Sequence, residues 1–249
     1  MAALRYLVLL CAVGMPVVAW LAQREAFGPD NATISAQYPT LIVAAGYAFS
    51  IWGPIFLLDV VFGVWQVLPG KADDPVLQRI RPAAAAGFAL TTAWMIVFPM
   101  QSFWLALLII WIDLACLLCC ANVLARSGDR AGLQRWAALV PLSLHAGWLS
   151  LAAFLNLAQV IVAYRLLPTD EMLPWSLPLL VGAALLLLFC NQRMRGNVAF
   201  CLSGVWGLVG VYIRQSDSAL AGAGTAAITA AVLAVVLALQ TGWLLARRR

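Results

Sequence analysis

A single histidine, His145, lies inside the apolar, helix-length run Pro141–Gln159 and falls with Trp148, Ala152, Asn156 and Gln159 at i, i+3, i+7, i+11 and i+14. At about 3.6 residues per turn these positions form one continuous face. Imidazole, indole and amide groups on a helix of membrane length cannot face acyl chains cheaply, so this face must look into a bundle or a cavity. A second stripe, Trp52, Phe56, Asp59, Gly63 and Gln66, repeats the pattern on an earlier apolar run. A carboxylate at the centre of a spanning helix costs roughly 2.5–3.5 kcal/mol on insertion scales, so Asp59 is expected to be protonated, paired or in a wet cavity. Asp113, close to Trp111, poses the same demand. No Lys or Arg falls in the core of an apolar run, which leaves His145, Asn156, Gln159 or backbone carbonyls as partners. Two arrangements stay open for the histidine: a His–Asp pair that responds to protons near neutral pH, or an imidazole that donates to a helix carbonyl.

The eleven tryptophans divide by position. Trp20, Trp65, Trp136, Trp175 and Trp243 lie near the ends of apolar runs, where indoles anchor helices at the interface. Trp52, Trp94, Trp148 and Trp206 are interior, where rings can stack on a flat ligand, and Trp104 and Trp111 fit either class. The six cysteines all fall within apolar runs and read as small packing residues. Cys116, Cys119 and Cys120 have metal-like spacing, but one histidine and no matching ligand set elsewhere give no metal site. Ser143 and Ser150 are off the face of His145, and no set of acid, base and nucleophile is legible. The residues therefore favour a binding or transport protein over an enzyme.

The elements that must position these groups follow from composition. A chain of 249 residues with 64% apolar and 10% charged residues and a mean hydropathy of +0.95 has too few charges to clothe a soluble globule. Its apolar runs are long and rich in Leu and Ala, unlike the short alternating segments of a membrane barrel. The reading is an all-α, polytopic helical membrane protein with eight spans: about 4–22, 41–67, 82–100, 103–124, 136–164, 173–191, 197–213 and 222–246. The first run fits a retained helix better than a secretory signal, because Trp20 stands at its far end. The Asn31-Ala32-Thr33 sequon matters only in a eukaryotic secretory compartment. With the N-terminus in the cytoplasm, only Arg24, Arg165 and Arg214 of the 15 basic residues fall outside, which places both termini inside. The net charge of +5 thus reports topology and not nucleic acid.

Two stretches carry a resemblance. Gly46-Tyr47-Ala48-Phe49-Ser50-Ile51-Trp52-Gly53-Pro54-Ile55-Phe56 and Trp148-Leu149-Ser150-Leu151-Ala152-Ala153-Phe154-Leu155-Asn156 resemble the second- and fifth-helix motifs of the translocator protein, or tryptophan-rich sensory protein (TspO/MBR), family. The sequence departs from that pattern in three places. The family's proline-rich loop before the second helix is Val43-Ala44-Ala45-Gly46-Tyr47, its third-helix asparagine is Thr91 ahead of a kept Trp94, and its fifth-helix tyrosine is His145. Trp206-Gly207-Leu208-Val209-Gly210-Val211 is similar to a segment of a longer branch of the family.

The resemblance implies a five-helix bundle over residues 1–164 enclosing a hydrophobic pocket; three further helices over 165–249, without counterpart in the five-helix members, are expected to buttress or dimerise it, all in one integrated membrane domain. It implies an intramembrane aromatic pocket for a planar hydrophobic ligand, a tetrapyrrole such as porphyrin or haem or a sterol-like molecule, in a sensor or carrier that requires no cofactor. The expected ligand contacts are Tyr47, Phe49, Trp52, Phe56, Asp59, Trp94, His145, Trp148, Ala152 and Asn156. The expected setting is a bacterial cytoplasmic membrane, with the lipid bilayer, the hydrophobic ligand and a second copy as partners. The alternative is a proton-coupled secondary transporter of a small metabolite that uses Asp59, Asp113 and His145.

Overall fold

A computed structural model describes residues 2–127 and 132–247. Arg130, Arg248 and Arg249, which enter the charge distribution above, lie outside them. The described residues fold into α1 (Ala2–Gln23), α2 (Asn31–Gln37), α3 (Trp52–Trp65), α4 (Pro75–Val97), α5 (Phe103–Arg126), α6 (Val140–Ala163), α7 (Leu173–Arg193), α8 (Val198–Ser216) and α9 (Ala223–Ala246). A 3-10 segment, Gly46–Ile51, leads into α3, and a π-helical turn, Arg135–Leu139, leads into α6. Among the described residues eight helical segments are long and apolar enough to cross a membrane, every long helix counting once. The protein is a polytopic all-α membrane protein.

Two spans begin elsewhere than hydropathy alone places them. The second becomes α-helical only at Trp52, so Tyr47 and Phe49 stand on the 3-10 segment and not on the helical face of Trp52. Pro54 explains this: in the first turn its missing N–H costs nothing, whereas a helix starting near residue 41 would carry it mid-helix. The third span begins at Pro75 and not near Pro82. Asp74 caps it, its Oδ1 accepting from Val76 N at 2.9 Å and Leu77 N at 3.0 Å, and Pro75 takes the first helical position. Arg81, expected in a basic connection, is consequently inside α4 and 2% exposed. Its guanidinium donates to Gln66 Oε1 (3.0 Å), Gln66 O (3.1 Å), Lys71 O (2.7 Å) and Ala72 O (3.0 Å). Gln66 Nε2 in turn donates to Arg5 O (2.7 Å) and Gly63 O (3.1 Å), tying α1, α3 and α4 at one end.

The chain divides into two compact units. The first comprises the chain up to Asp30 together with Ile51–Ala146, and the second Asn31–Ser50 together with the chain from Gly147 onward. The division falls inside α6. In the first unit α4 packs on α5 and α1, α1 also packs on α3, and the π turn touches α3 and α5. Small residues allow these approaches: a Cβ on Gly63 would lie 3.0 Å from Ala12 Cβ, and one on Gly87 would lie 2.8 Å from Leu117 Cδ2. In the second unit α9 packs on α8 and α7. There the part of α6 beyond Ala146 meets α8 so closely that a Cβ on Gly147 would strike Ser203 Oγ and the Phe200 carbonyl, and one on Gly207 would lie 2.5 Å from Leu151 Cδ2.

Candidate functional site

Four helices of the first unit each contribute one polar side chain to a buried cluster. Asp59 comes from the middle of α3, Thr91 from α4, Asp113 from α5 and His145 from the start of α6. None of the four is more than 1% exposed. His145 Nδ1 lies 2.8 Å from Asp59 Oδ2. Thr91 Oγ1 lies 2.7 Å from Asp113 Oδ2, 3.2 Å from the Gly87 carbonyl one turn earlier and 3.4 Å from His145 Nε2. Of the two arrangements the sequence leaves open for His145, the structure takes the His–Asp pair. The π turn ahead of α6 contributes to the placement: Val140 N bonds to Arg135 O, five residues back, and this wider turn precedes Pro141, whose ring would crowd a regular helix.

Rings wall the imidazole. Trp52 meets it edge-on with centroids 5.5 Å apart at 89°, and Phe88 lies nearly parallel to it at 6.4 Å and 11°. Trp52 also stacks on Phe56 (5.2 Å, 19°) and leans against Trp94 (6.2 Å, 32°), which stacks on Phe98 (4.6 Å, 21°). Within this unit Trp52, Phe56, Asp59, Trp94 and His145 are therefore linked contact by contact. Three buried atoms at the cluster and its wall, Asp59 Oδ1, Asp113 Oδ1 and Trp94 Nε1, have no hydrogen-bond partner in the protein. A buried acceptor or donor left bare is costly.

The other five expected contacts belong to the second unit. Phe49 and Trp148 meet edge to face at 6.1 Å and 82°. Tyr47 is 43% exposed and packs edge-on against Trp206 at 5.5 Å, while Trp206 Nε1 donates to Ala48 O at 2.9 Å. Trp206, expected in the interior, is itself 37% exposed. Ala152 is half-buried, and Asn156 is 2% exposed with neither atom of its amide hydrogen-bonded. One turn on, Gln159 Nε2 donates to Ser35 Oγ at 3.2 Å. Phe49, with Ser35, Gly46 and Arg214, lines a cavity of about 200 Å³ in this unit.

The anchors expected at span ends separate by exposure. Trp20, Trp136 and Trp243 are 48–67% exposed, and Trp20 and Trp243 each lie under an arginine, Arg24 at 4.0 Å and Arg247 at 3.8 Å. Trp65 and Trp175 are buried.

Trp94 on α4 is legible in the sequence and Thr91 only as the place of the family's third-helix asparagine, whereas Phe88 goes unmarked; Thr91 and Phe88 complete the cluster and its wall. The signal is present in their spacing, since Phe88, Thr91 and Trp94 follow at intervals of three and share one helix face. It is weak because a threonine in a helix commonly bonds its own i−4 carbonyl, as Thr91 also does, so residue type alone does not mark it.

No curated protein and no solved structure matches the chain. A family model described as TSPO-like protein matches residues 5–243. That match runs through all eight long helices and beyond the five-helix stretch that carries the resemblance, and the chain belongs to the TSPO-like protein family.

Proposed function

We propose that this TSPO-like membrane protein binds a planar hydrophobic ligand with a polar edge, of tetrapyrrole or sterol type, and acts as a sensor or carrier in a bacterial cytoplasmic membrane with both termini inside. The observation that supports this best is the pairing of opposites in the first unit: stacked rings of Trp52, Phe56 and Trp94 beside a buried Asp59–His145 pair. The rings offer flat apolar area, and Asp59 Oδ1 and Trp94 Nε1, which lack partners in the protein, offer an acceptor and a donor for the ligand's edge. Phe49, Trp148 and Asn156, with Tyr47 and Ala152, remain contacts proposed within the second unit.

The test is a titration of protoporphyrin IX into protein in lipid nanodiscs, read by tryptophan fluorescence. Saturable quenching is expected in wild type, with the midpoint raised at least tenfold in Trp52→Ala and in Trp94→Ala. Quenching that rises linearly without saturating, or that saturates identically in both variants, would overturn the reading.

A second reading, proton-coupled secondary transport of a small metabolite, is favoured by the four-residue polar cluster, since intramembrane carboxylates and histidines recur in proton relays. It expects a pH gradient to drive proton entry into pyranine-loaded proteoliposomes, and expects that flux to be lost in Asp59→Asn. Equal flux in the two proteins would remove it.

A further inference from the structure

We propose that Thr91 is a proton-transfer residue, handing one proton between Asp113 and His145 so that the two carboxylates and the imidazole hold their protons as one unit. The inference deepens the proton-coupled reading of the same cluster and does not depend on the ligand. Its basis is a count of donors. Thr91 has one hydroxyl hydrogen and three acceptors within reach: Asp113 Oδ2 at 2.7 Å, Gly87 O at 3.2 Å and His145 Nε2 at 3.4 Å. The direction of that hydrogen depends on where the neighbouring protons are.

With Asp113 ionised, Thr91 donates to Asp113 Oδ2, and its oxygen is free to accept from a protonated His145 Nε2. With Asp113 protonated, Asp113 Oδ2 donates to Thr91 Oγ1, and Thr91 turns its own hydrogen to Nε2 or to the Gly87 carbonyl. The two forms interconvert by a paired transfer. The Nε2–H bond breaks as Thr91 Oγ1 gains that proton, and the original Oγ1–H bond breaks as Asp113 Oδ2–H forms. The imidazole becomes neutral, Asp113 becomes a carboxylic acid, and the net charge of the cluster does not change. Asp59 holds the Nδ1–H throughout through the 2.8 Å contact, which fixes the ring and leaves Nε2 as the exchanging atom.

The 3.4 Å separation is the open joint of the chain, longer than a strong hydrogen bond, and must shorten for the proton to pass. Its neighbours are known from every packed element. Asp59 is the acid on α3, Asp113 that on α5, with the thiols of Cys116 and Cys120 about one and two turns further along the same helix, and His145 the base on α6. The cations of these elements are engaged or outward: Arg81 is bonded to Gln66, Lys71 and Ala72, Arg5 lies over Tyr6 at 5.7 Å, and Arg79, Arg126 and Arg135 are exposed. No lysine or arginine therefore competes for the shared proton among the described residues.

His145 is the only histidine in the chain, so protein labelled with nitrogen-15 at histidine alone reports this ring without assignment. In nanodiscs across pH 5 to 9, the wild-type Nε2 resonance should move together with the Asp113 carboxyl band in infrared difference spectra, in one shared step. In Thr91→Val, close in shape and lacking the hydroxyl, the imidazole and carboxyl changes should separate into two steps. In Thr91→Ser they should merge again. Nδ1 should keep its wild-type position in both variants. An Nε2 profile identical in wild type and Thr91→Val would overturn the proposal, as would separation in Thr91→Ser. Proton flux through the whole protein is a different measurement, so the coupled-transport reading can fail while this one stands.

Discussion

His145 Nδ1 and Asp59 Oδ2 meet at 2.8 Å with neither side chain exposed to solvent, across 86 residues of sequence. Removing one partner leaves the other buried without its counterpart, a change that typically costs about 3–5 kcal/mol. Asp59→Ala and His145→Ala should each destabilise the first unit by an amount of that order. The double variant should cost less than their sum, because the second removal no longer strands a partner. Denaturant titrations in mixed micelles measure all four corners of this cycle. Strictly additive costs would mean that the pair contributes nothing beyond two separate side chains.

Arg81 satisfies three backbone carbonyls and one side chain from a buried position. Arg81→Met keeps most of the stem but strands Gln66 O, Lys71 O and Ala72 O. A loss of about 3 kcal/mol is expected, at roughly 1 kcal/mol for each abandoned acceptor. Arg81→Lys should recover only part of it, since an ammonium cannot reproduce the planar fork. Thermal unfolding of the three proteins in one detergent checks the order wild type, Lys, Met.

Asn156 presents the opposite case, a buried amide with no hydrogen bond from the protein to either atom. Replacing it with leucine removes a bare polar group at similar volume, so stability should hold or rise by about 1 kcal/mol. If the amide serves the ligand, saturable porphyrin quenching should weaken in the same variant. A loss of more than about 2 kcal/mol on Asn156→Leu would show that the amide is bonded in the folded protein.

Gly147 lies where the second unit's part of α6 meets Ser203 and the Phe200 carbonyl. Gly147→Ala should destabilise by about 1–3 kcal/mol through overpacking, against the small gain alanine normally brings to a helix. Adding Ser203→Ala should restore part of the loss by removing one of the two obstructing atoms. Melting temperatures of the single and double variants decide it.

The eight spans are legible because hydropathy reports each helix separately. Which helices meet is a different matter. The periodicity of Trp52, Phe56 and Asp59 and of His145 and Trp148 gives the faces but not the partners, so the His–Asp pair is one of two open choices in the sequence. Asp74-Pro75 is a readable helix start, yet Arg79 and Arg81 draw the boundary downstream when hydropathy decides, because a buried arginine bonded to carbonyls looks the same in sequence as a solvated one. The division at Ala146 and Gly147 leaves no trace in the periodicity of α6, which continues through it.

In the proposed function the Asp59–His145 pair and its aromatic wall form the ligand site. Its most direct measurement is the nitrogen-15 spectrum of the lone histidine, recorded in nanodiscs before and after saturation with protoporphyrin IX. The ring resonances of His145 should shift on saturation, and the shift should disappear in Trp52→Ala at the same porphyrin concentration. A histidine spectrum unchanged by porphyrin, under conditions where tryptophan quenching has saturated, would contradict it and place the ligand elsewhere in the protein.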